Sequence, residues 1–245
     1  RGQFVNDLVE ARDRGQFREV SADHVEYVDV SPVQCISVAS SLIPFLEHDD
    51  AQRALMGSNM QRQAVTCVLP QAPVVGTGLE RHAATDSAAV VLAEHPGTVA
   101  TADAEHVAIL EDEGATRTYP LHTFLRSNNS MSITQRPVVQ VAQRVDRGTL
   151  LADGAATDQG EIALGRNLLI AFLPWQGGNF EDAILISERV VRGDLFTSVH
   201  IEEFSIDVRD TKLGPEVVTR DIPNVGEEKL RNLGDDGIIR IGAEV

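Results

Sequence analysis

The hydrophobic pattern of this chain changes period once, and the change divides it. Over 47–64, helix-forming residues place Leu55, Met56, Asn59, Met60 and Gln63 at spacings of one, three and four, which predicts a helix with a mixed apolar and amide stripe on one side. Glu47, Asp49 and Asp50 fall in its first turn and Arg62 in its last, complementing a helix macrodipole, and Asp49 with Arg53 forms an i,i+4 pair. Beyond Pro70 and Pro73 the period shortens to valine-rich runs between turns. Residues 73–78, 88–93, 97–100, 107–110 and 116–119 read as strands, with Asp112-Glu113-Gly114 as a hairpin turn. The same texture returns at 137–139, 149–151 and 167–173. Residues 198–208 alternate Val199, Ile201, Phe204 and Ile206, and a short helix is expected over 227–232. Residues 1–34 read as an extended lead-in in which Val25, Tyr27, Val28 and Val30 alternate with polar positions. Together these elements make a β-rich chain with one prominent helix.

Composition narrows the picture. With 245 residues, 42% hydrophobic and 24% charged, the chain has apolar material for a core and length for more than one domain. Lys plus Arg number 21 against 37 Asp plus Glu, and the formal charge of −16 repels a phosphate backbone. Free nucleic-acid binding by this segment alone is therefore disfavoured. Cys35 and Cys67 come with no CxxC and no paired histidines, which excludes a zinc ribbon or disulfide scaffold and leaves them as small buried hydrophobes. No apolar run approaches the roughly 20 residues of a membrane span, and the N-terminus lacks the order of a signal peptide, so no membrane partner and a cytoplasmic location are expected. Arg1 at the start and a β-like alternation still running over 237–245 read as the cut ends of a longer chain.

Four stretches combine polar groups with glycine or apolar support. In 47–63, His48 with Asp49 and Asp50 is a poor metal set, because adjacent helical residues point apart and no second histidine lies four on. The ladder of Arg53, Ser58, Asn59, Arg62 and Gln63 can hold a phosphate through forked guanidinium bonds, although a solvated polar helix face accounts for it equally. In 174–187, Glu181 and Asp182 sit on a glycine-bearing loop between apolar runs. Such a pair suits Mg²⁺, which takes one or two protein carboxylates and completes its shell with water and nucleotide phosphates; it also suits a solvated acidic turn. Gly76-Thr77-Gly78 lacks the third glycine of a dinucleotide loop and a helix start after it. Residues 210–224 read as a turn-dense connection with structural or docking use. No Ser/His/Asp or Cys/His grouping supports nucleophilic catalysis.

Longer strings carry more information than these motifs. LIPFLEHDDAQRALMGSNMQRQAV (42–65), APVVGTGLE (72–80), ADGAATDQGEIALGRNLLIAFLPWQGGNFEDAILISERVV (152–191) and DTKLGPEVVTRDIPNVGEEKLRNLGDDGIIRIGAEV (210–245) resemble the beta subunit of bacterial DNA-directed RNA polymerase. The resemblance spans nearly the whole chain and is weakest at about 1–24 and 85–125. It implies an internal fragment, inactive alone, that takes part in template-directed RNA synthesis from ribonucleoside triphosphates. Arg53 matches the arginine that contacts the phosphates of the incoming nucleotide. Glu181 and Asp182 match the acidic pair that faces the second Mg²⁺, directly or through water, while the principal Mg²⁺ site lies on the beta-prime subunit. Asp50, Asn59, Arg62 and Gln63 match positions lining the same channel. The implied partners are the beta-prime, alpha and omega subunits, sigma factor, template DNA, nascent RNA and NTPs, in a nucleoid-associated enzyme.

The implied fold is a β-rich α+β one. Residues 1–80 would form an active-centre wall segment, 81–150 a barrel- or sandwich-like β module, 151–197 the first part of a double-psi β-barrel with the acidic loop, and 198–245 the start of the flap domain. Four positions depart from the family pattern: Thr66 stands where Pro is usual, Leu69 where Arg is usual, Gly178 where an aromatic is usual, and Asn129-Ser130-Met131 where a Gly-containing turn is usual. Leu69 removes a cation, so no nucleic-acid contact is carried to it. Two other classes compete with this reading: a β-rich structural docking module without nucleotide contact, and a free-standing Mg²⁺-dependent hydrolase using Glu181 and Asp182.

Overall fold

The computed structural model describes residues 4–29 and 31–244. Its contacts fall into two units, one ending at Ile201 and the other beginning at Glu202. In the first, an N-terminal hairpin of β1 (Leu8–Asp13) and β2 (Gln16–Ser21) turns at Gly15, whose φ is +85°. The alternation expected at Val25, Tyr27 and Val28 forms no strand, and Val30 lies outside the described residues. A short helix α1 (Val38–Ser41), capped by the Ser37 side chain on the Ser40 N–H, then packs against α2 (Ala51–Arg62).

The core lies in the β module that follows α3 (Glu80–Asp86). β3 (Val91–Leu92), β4 (Gly97–Ala102), β5 (His106–Glu111) and β6 (Thr116–Pro120) come next, and the 112–114 turn between β5 and β6 uses Gly114 at φ +87°. After the small pair β7 (Leu125–Arg126) and β8 (Ser132–Ile133) come β9 (Arg136–Pro137), β10 (Arg144–Val145) and β11 (Leu150–Asp153). Two antiparallel sheets result, ordered β10-β4-β5-β6 and β3-β11-β9. Val99 opposite Ile109 and Val107 opposite Tyr119 set the register, and these four join Val145, Leu151 and Ala152 in one buried cluster. Each large member contributes roughly 1.5–3 kcal/mol by leaving water. At Gly97 a Cβ would meet Ile109 Cγ2 at 2.6 Å, so the strands approach there only because no side chain intervenes. Around the rim Arg117 pairs with Glu111 (2.6 Å) and Glu94 (2.7 Å), and Arg144 forks onto Asp112.

A final hairpin, β12 (Thr157–Asp158) and β13 (Glu161–Ile162), is organised by the buried Asp153 carboxylate. It accepts from Thr157 Oγ1 (3.0 Å) and from the Gln159 and Gly160 N–H groups (2.9 and 2.8 Å). Beyond β13 the chain is irregular to α4 (Glu188–Arg192). The second unit holds the pair β14 (Asp210–Thr211) and β15 (Gly214–Pro215) and the short helix α5 (Glu227–Leu230).

Several expectations change. The run 73–78 makes no strand: Pro73 has no N–H to donate, and among the described residues the only ladder contact nearby is the bridge of Gln71 to Gly165. Residues 167–173 make none either, since no described strand lies beside them, and 198–208 contribute a single bridge, His200 to Met131. The described strands close no barrel. Cys35 is exposed and Cys67 half-buried, not enclosed as their apolar neighbours suggested. Among the described residues no helix is long and apolar enough to cross a membrane.

Candidate functional site

Helix α2 is four residues shorter at its start than the periodicity predicts. Asp50, at φ −64° and ψ 141°, is its N-cap and accepts from the Gln52 N–H at 3.1 Å, the arrangement in which a short carboxylate stabilises a helix start. Asp49 is extended and lies outside the helix, so it forms no i,i+4 pair with Arg53. The apolar members of the expected stripe face solvent. Leu55, Met56 and Met60 are exposed, whereas Ala54, Gly57, Ser58 and Gln61 turn inward, and Ile43 lies 3.8 Å from where a Gly57 Cβ would sit. Small residues let α2 lie close to its neighbours. Its outer face presents Arg53, whose one side-chain hydrogen bond among the described residues runs from Nη1 to Met56 Sδ at 3.5 Å. Arg62 is bonded to Asn59 Oδ1, and Gln63 is the C-cap.

The acidic loop is built by Asn179. Its Oδ1 accepts the Trp175 N–H at 2.8 Å and its Nδ2 donates to the Leu173 carbonyl at 2.6 Å, while the Gly178 N–H donates to the Trp175 carbonyl at 2.8 Å. Gln176 and Glu181, at φ +47° and +56°, both adopt left-handed backbone that L-residues enter at a cost, and such strain concentrates at functional segments. Glu181 and Asp182 are exposed, and neither carboxylate has a hydrogen-bond or ion-pair partner among the described residues. Two uncommitted carboxylates fit a hard cation that keeps water and phosphate in its shell, and fall short of a full protein cage. Among the described residues no group of three or more His, Cys, Asp or Glu is arranged to hold a metal.

Among the described residues no hydrogen bond or ion pair joins α2 to the acidic loop directly. What links their chains is a strap over 66–74, which has no helix or strand of its own. The Val68 and Gln71 N–H groups donate to the Thr197 and Gly165 carbonyls (2.8 and 2.9 Å), and the Ala72 N–H donates to Asp158 Oδ2 (3.0 Å). Thr66 donates from Oγ1 to the Ser132 carbonyl at 3.2 Å, and Arg136 spans the Val68 and Thr157 carbonyls at 3.1 and 3.3 Å. A cleft of about 320 Å³ opens beside the strap, with Gln61, Gln71, Glu80, Arg166 and Asn167 in its walls and none of Arg53, Glu181 or Asp182.

The glycine-flanked turn at 76–78 has its anion already. A helix, α3, does start just after it, and its first residue, the buried Glu80, accepts from the Thr77 and Gly78 N–H groups at 2.7 and 2.8 Å. Burial pushes the Glu80 carboxyl upward, but the bonds from the Thr77 and Gly78 amides and the Thr77 hydroxyl outweigh it and hold the group below the usual range. The roles of Arg166 and Asn167 escape a reading by period, since each acts on backbone groups more than 90 positions away, and that of Glu80 escapes it because its partners lie in the turn just before its own helix.

Residues 92–245 match the family model for RNA polymerase Rpb2, domain 6. The chain is 56% identical to the DNA-directed RNA polymerase subunit beta of Syntrophomonas wolfei subsp. wolfei over 244 residues, which are 100% of this chain and 22% of that protein. The subunits beta of Rubrobacter xylanophilus and Thermosynechococcus vestitus are also 56% identical, over 245 and 244 residues, with 100% of this chain and 22% of each relative covered. The chain thus spans about a fifth of the length of these curated relatives.

Proposed function

The chain belongs to the RNA polymerase beta-subunit family, and from that premise we propose that it serves template-directed RNA synthesis by holding the triphosphate end of the incoming ribonucleotide. Arg53 is the cationic contact. Its guanidinium stands on the outer face of a capped helix with no carboxylate partner among the described residues, so its forked donors are open to phosphate oxygens. Glu181 and Asp182 are the residues that would hold the second Mg²⁺, directly or through water. The ion supplies charge neutralisation at the phosphates when bound. The observation that carries the reading is the acidic loop: Asn179 fixes a strained turn and leaves both carboxylates without a partner among the described residues.

In this reading the chain's residues do not attack; the nucleophile is the RNA 3′ hydroxyl, and the side chains position and neutralise charge. Asp50 sets the start of α2, and Arg62 with Asn59 and Gln63 lines the same channel. The strands of 151–197 would belong to a double-psi β-barrel completed by other segments, and 198–245 to the base of the flap. Beta-prime, alpha and omega subunits and sigma factor would be the assembly partners, in a cytoplasmic enzyme.

The test is polymerase assembled from full-length subunits. Arg53→Ala should raise the KM for NTPs about tenfold, the loss of one ground-state charge contact. Glu181→Ala with Asp182→Ala should slow elongation and raise the Mg²⁺ concentration needed for half-maximal rate. Unchanged KM, elongation rate and Mg²⁺ dependence would refute these roles. Poor assembly with normal catalysis in whatever assembles would favour a docking module instead.

A further inference from the structure

The strap over 66–74 raises a positional question. It carries Pro70 and Pro73, which have no N–H to donate, and it has no ladder of its own. Its course must therefore be imposed by the segments it touches. Most of that fastening comes from Gly165, Arg166 and Asn167, the start of the stretch that runs on to the acidic loop.

Asn167 acts there as a substitute for a strand. Its Nδ2 donates to the Ala72 carbonyl at 2.8 Å while its Oδ1 accepts the Val74 N–H at 3.3 Å, so one amide satisfies two backbone groups on either side of Pro73. Its own N–H donates to Gln71 Oε1 at 3.3 Å. Arg166 donates from Nη1 to the Leu69 carbonyl at 3.1 Å, and its Nε is one of two buried side-chain atoms without a partner among the described residues. The other is Gln61 Oε1, on the last turn of α2, in the wall of the same cleft. A donor and an acceptor are thus left open in the walls of the cleft that borders both the last turn of α2 and the strap. Loss of the Arg166 or Asn167 side chain removes fastening that the strap cannot replace from its own backbone.

We propose that Asn167 and Arg166 are positioning residues that hold α2, and through it Arg53, in register with the segment leading to Glu181 and Asp182. The proposal rests on the assignment of Arg53 to the triphosphate. It makes a demand that a merely stabilising role does not: the effect of Asn167 on nucleotide binding must pass through Arg53.

A double-mutant cycle in polymerase assembled from full-length subunits, with NTP KM and kcat read separately, tests this. Asn167→Ala should raise KM about fivefold with kcat within about twofold of the parent, as expected when binding geometry alone is lost. In an Arg53→Ala background the same substitution should add nothing. Arg166→Met should behave like Asn167→Ala, and Arg166→Lys, which keeps one donor for the Leu69 carbonyl, should restore most of the KM. An equal increment from Asn167→Ala with and without Arg53 overturns the proposal and leaves the role of Arg53 standing. No effect of Arg53→Ala alone removes the underlying assignment. If Asn167→Ala assembles poorly, the cycle between Arg166→Met and Arg53→Ala decides, and additivity there counts against the proposal.

Discussion

Glu80 is a carboxylate only 7% exposed that takes two backbone N–H groups from its own turn. Burial alone would raise its pKa; the amide and hydroxyl bonds reverse the sign, so the folded value lies below that of the unfolded chain. The stabilisation is therefore complete above the unfolded value of about 4.3 and is lost as pH falls through the lower folded value. Glu80→Gln should lower the thermal midpoint of the chain near pH 7, and the gap from the parent should close on acidification below about pH 4. Equal gaps at pH 7 and pH 3.5 would mean that the ionised form is not what the turn holds. Residue identity alone did not disclose this role. Gly76-Thr77-Gly78 was legible only as a stretch that fails as a dinucleotide loop, and its amides are taken up by a carboxylate arriving from the first residue of α3.

At the scale of elements, Asp50 decides where α2 begins. Replacing it with Ala should cost about 0.5–2 kcal/mol, and Asp50→Ser should retain most of that by keeping an oxygen on the Gln52 N–H. Chemical denaturation of the two variants side by side measures the difference; equal losses would show that charge, not the cap bond, is what matters. The strands at 97–120 were legible because alternation, turn residues and antiparallel neighbours coincide there: β4, β5 and β6 pair with one another through short turns. The helix over 51–62 was legible too, but not its orientation. Periodicity places Leu55, Met56 and Met60 on one side without saying which side is inward, and the close approach of Ile43 at Gly57 gives that place to small residues. Of the candidate site, the exposure of Arg53 and of the Glu181-Asp182 pair could be anticipated from charge on a helix and a glycine loop. The strap bonds of Arg166 and Asn167 could not, since they link positions more than 90 apart in sequence.

For the whole molecule, an apolar run without a neighbouring strand is the informative failure. Residues 167–173 are an apolar run that reads as a strand, yet among the described residues no strand pairs with them, and an unpaired strand does not hold itself together in water. Leu169 and Phe172 are left 105% and 96% exposed. A chain with net charge −16 should stay dispersed by self-repulsion, and so large an apolar surface opposes that. If these side chains contribute no burial here, making them charged must cost nothing in stability. Leu169→Lys with Phe172→Lys should therefore reduce concentration-dependent light scattering of the chain while moving the free energy of unfolding by no more than about 0.5 kcal/mol. A larger loss of stability would show that the two side chains pack within the chain itself, and the segment would then be a folded part of this molecule rather than a strand whose partner lies elsewhere in the roughly fivefold longer relatives.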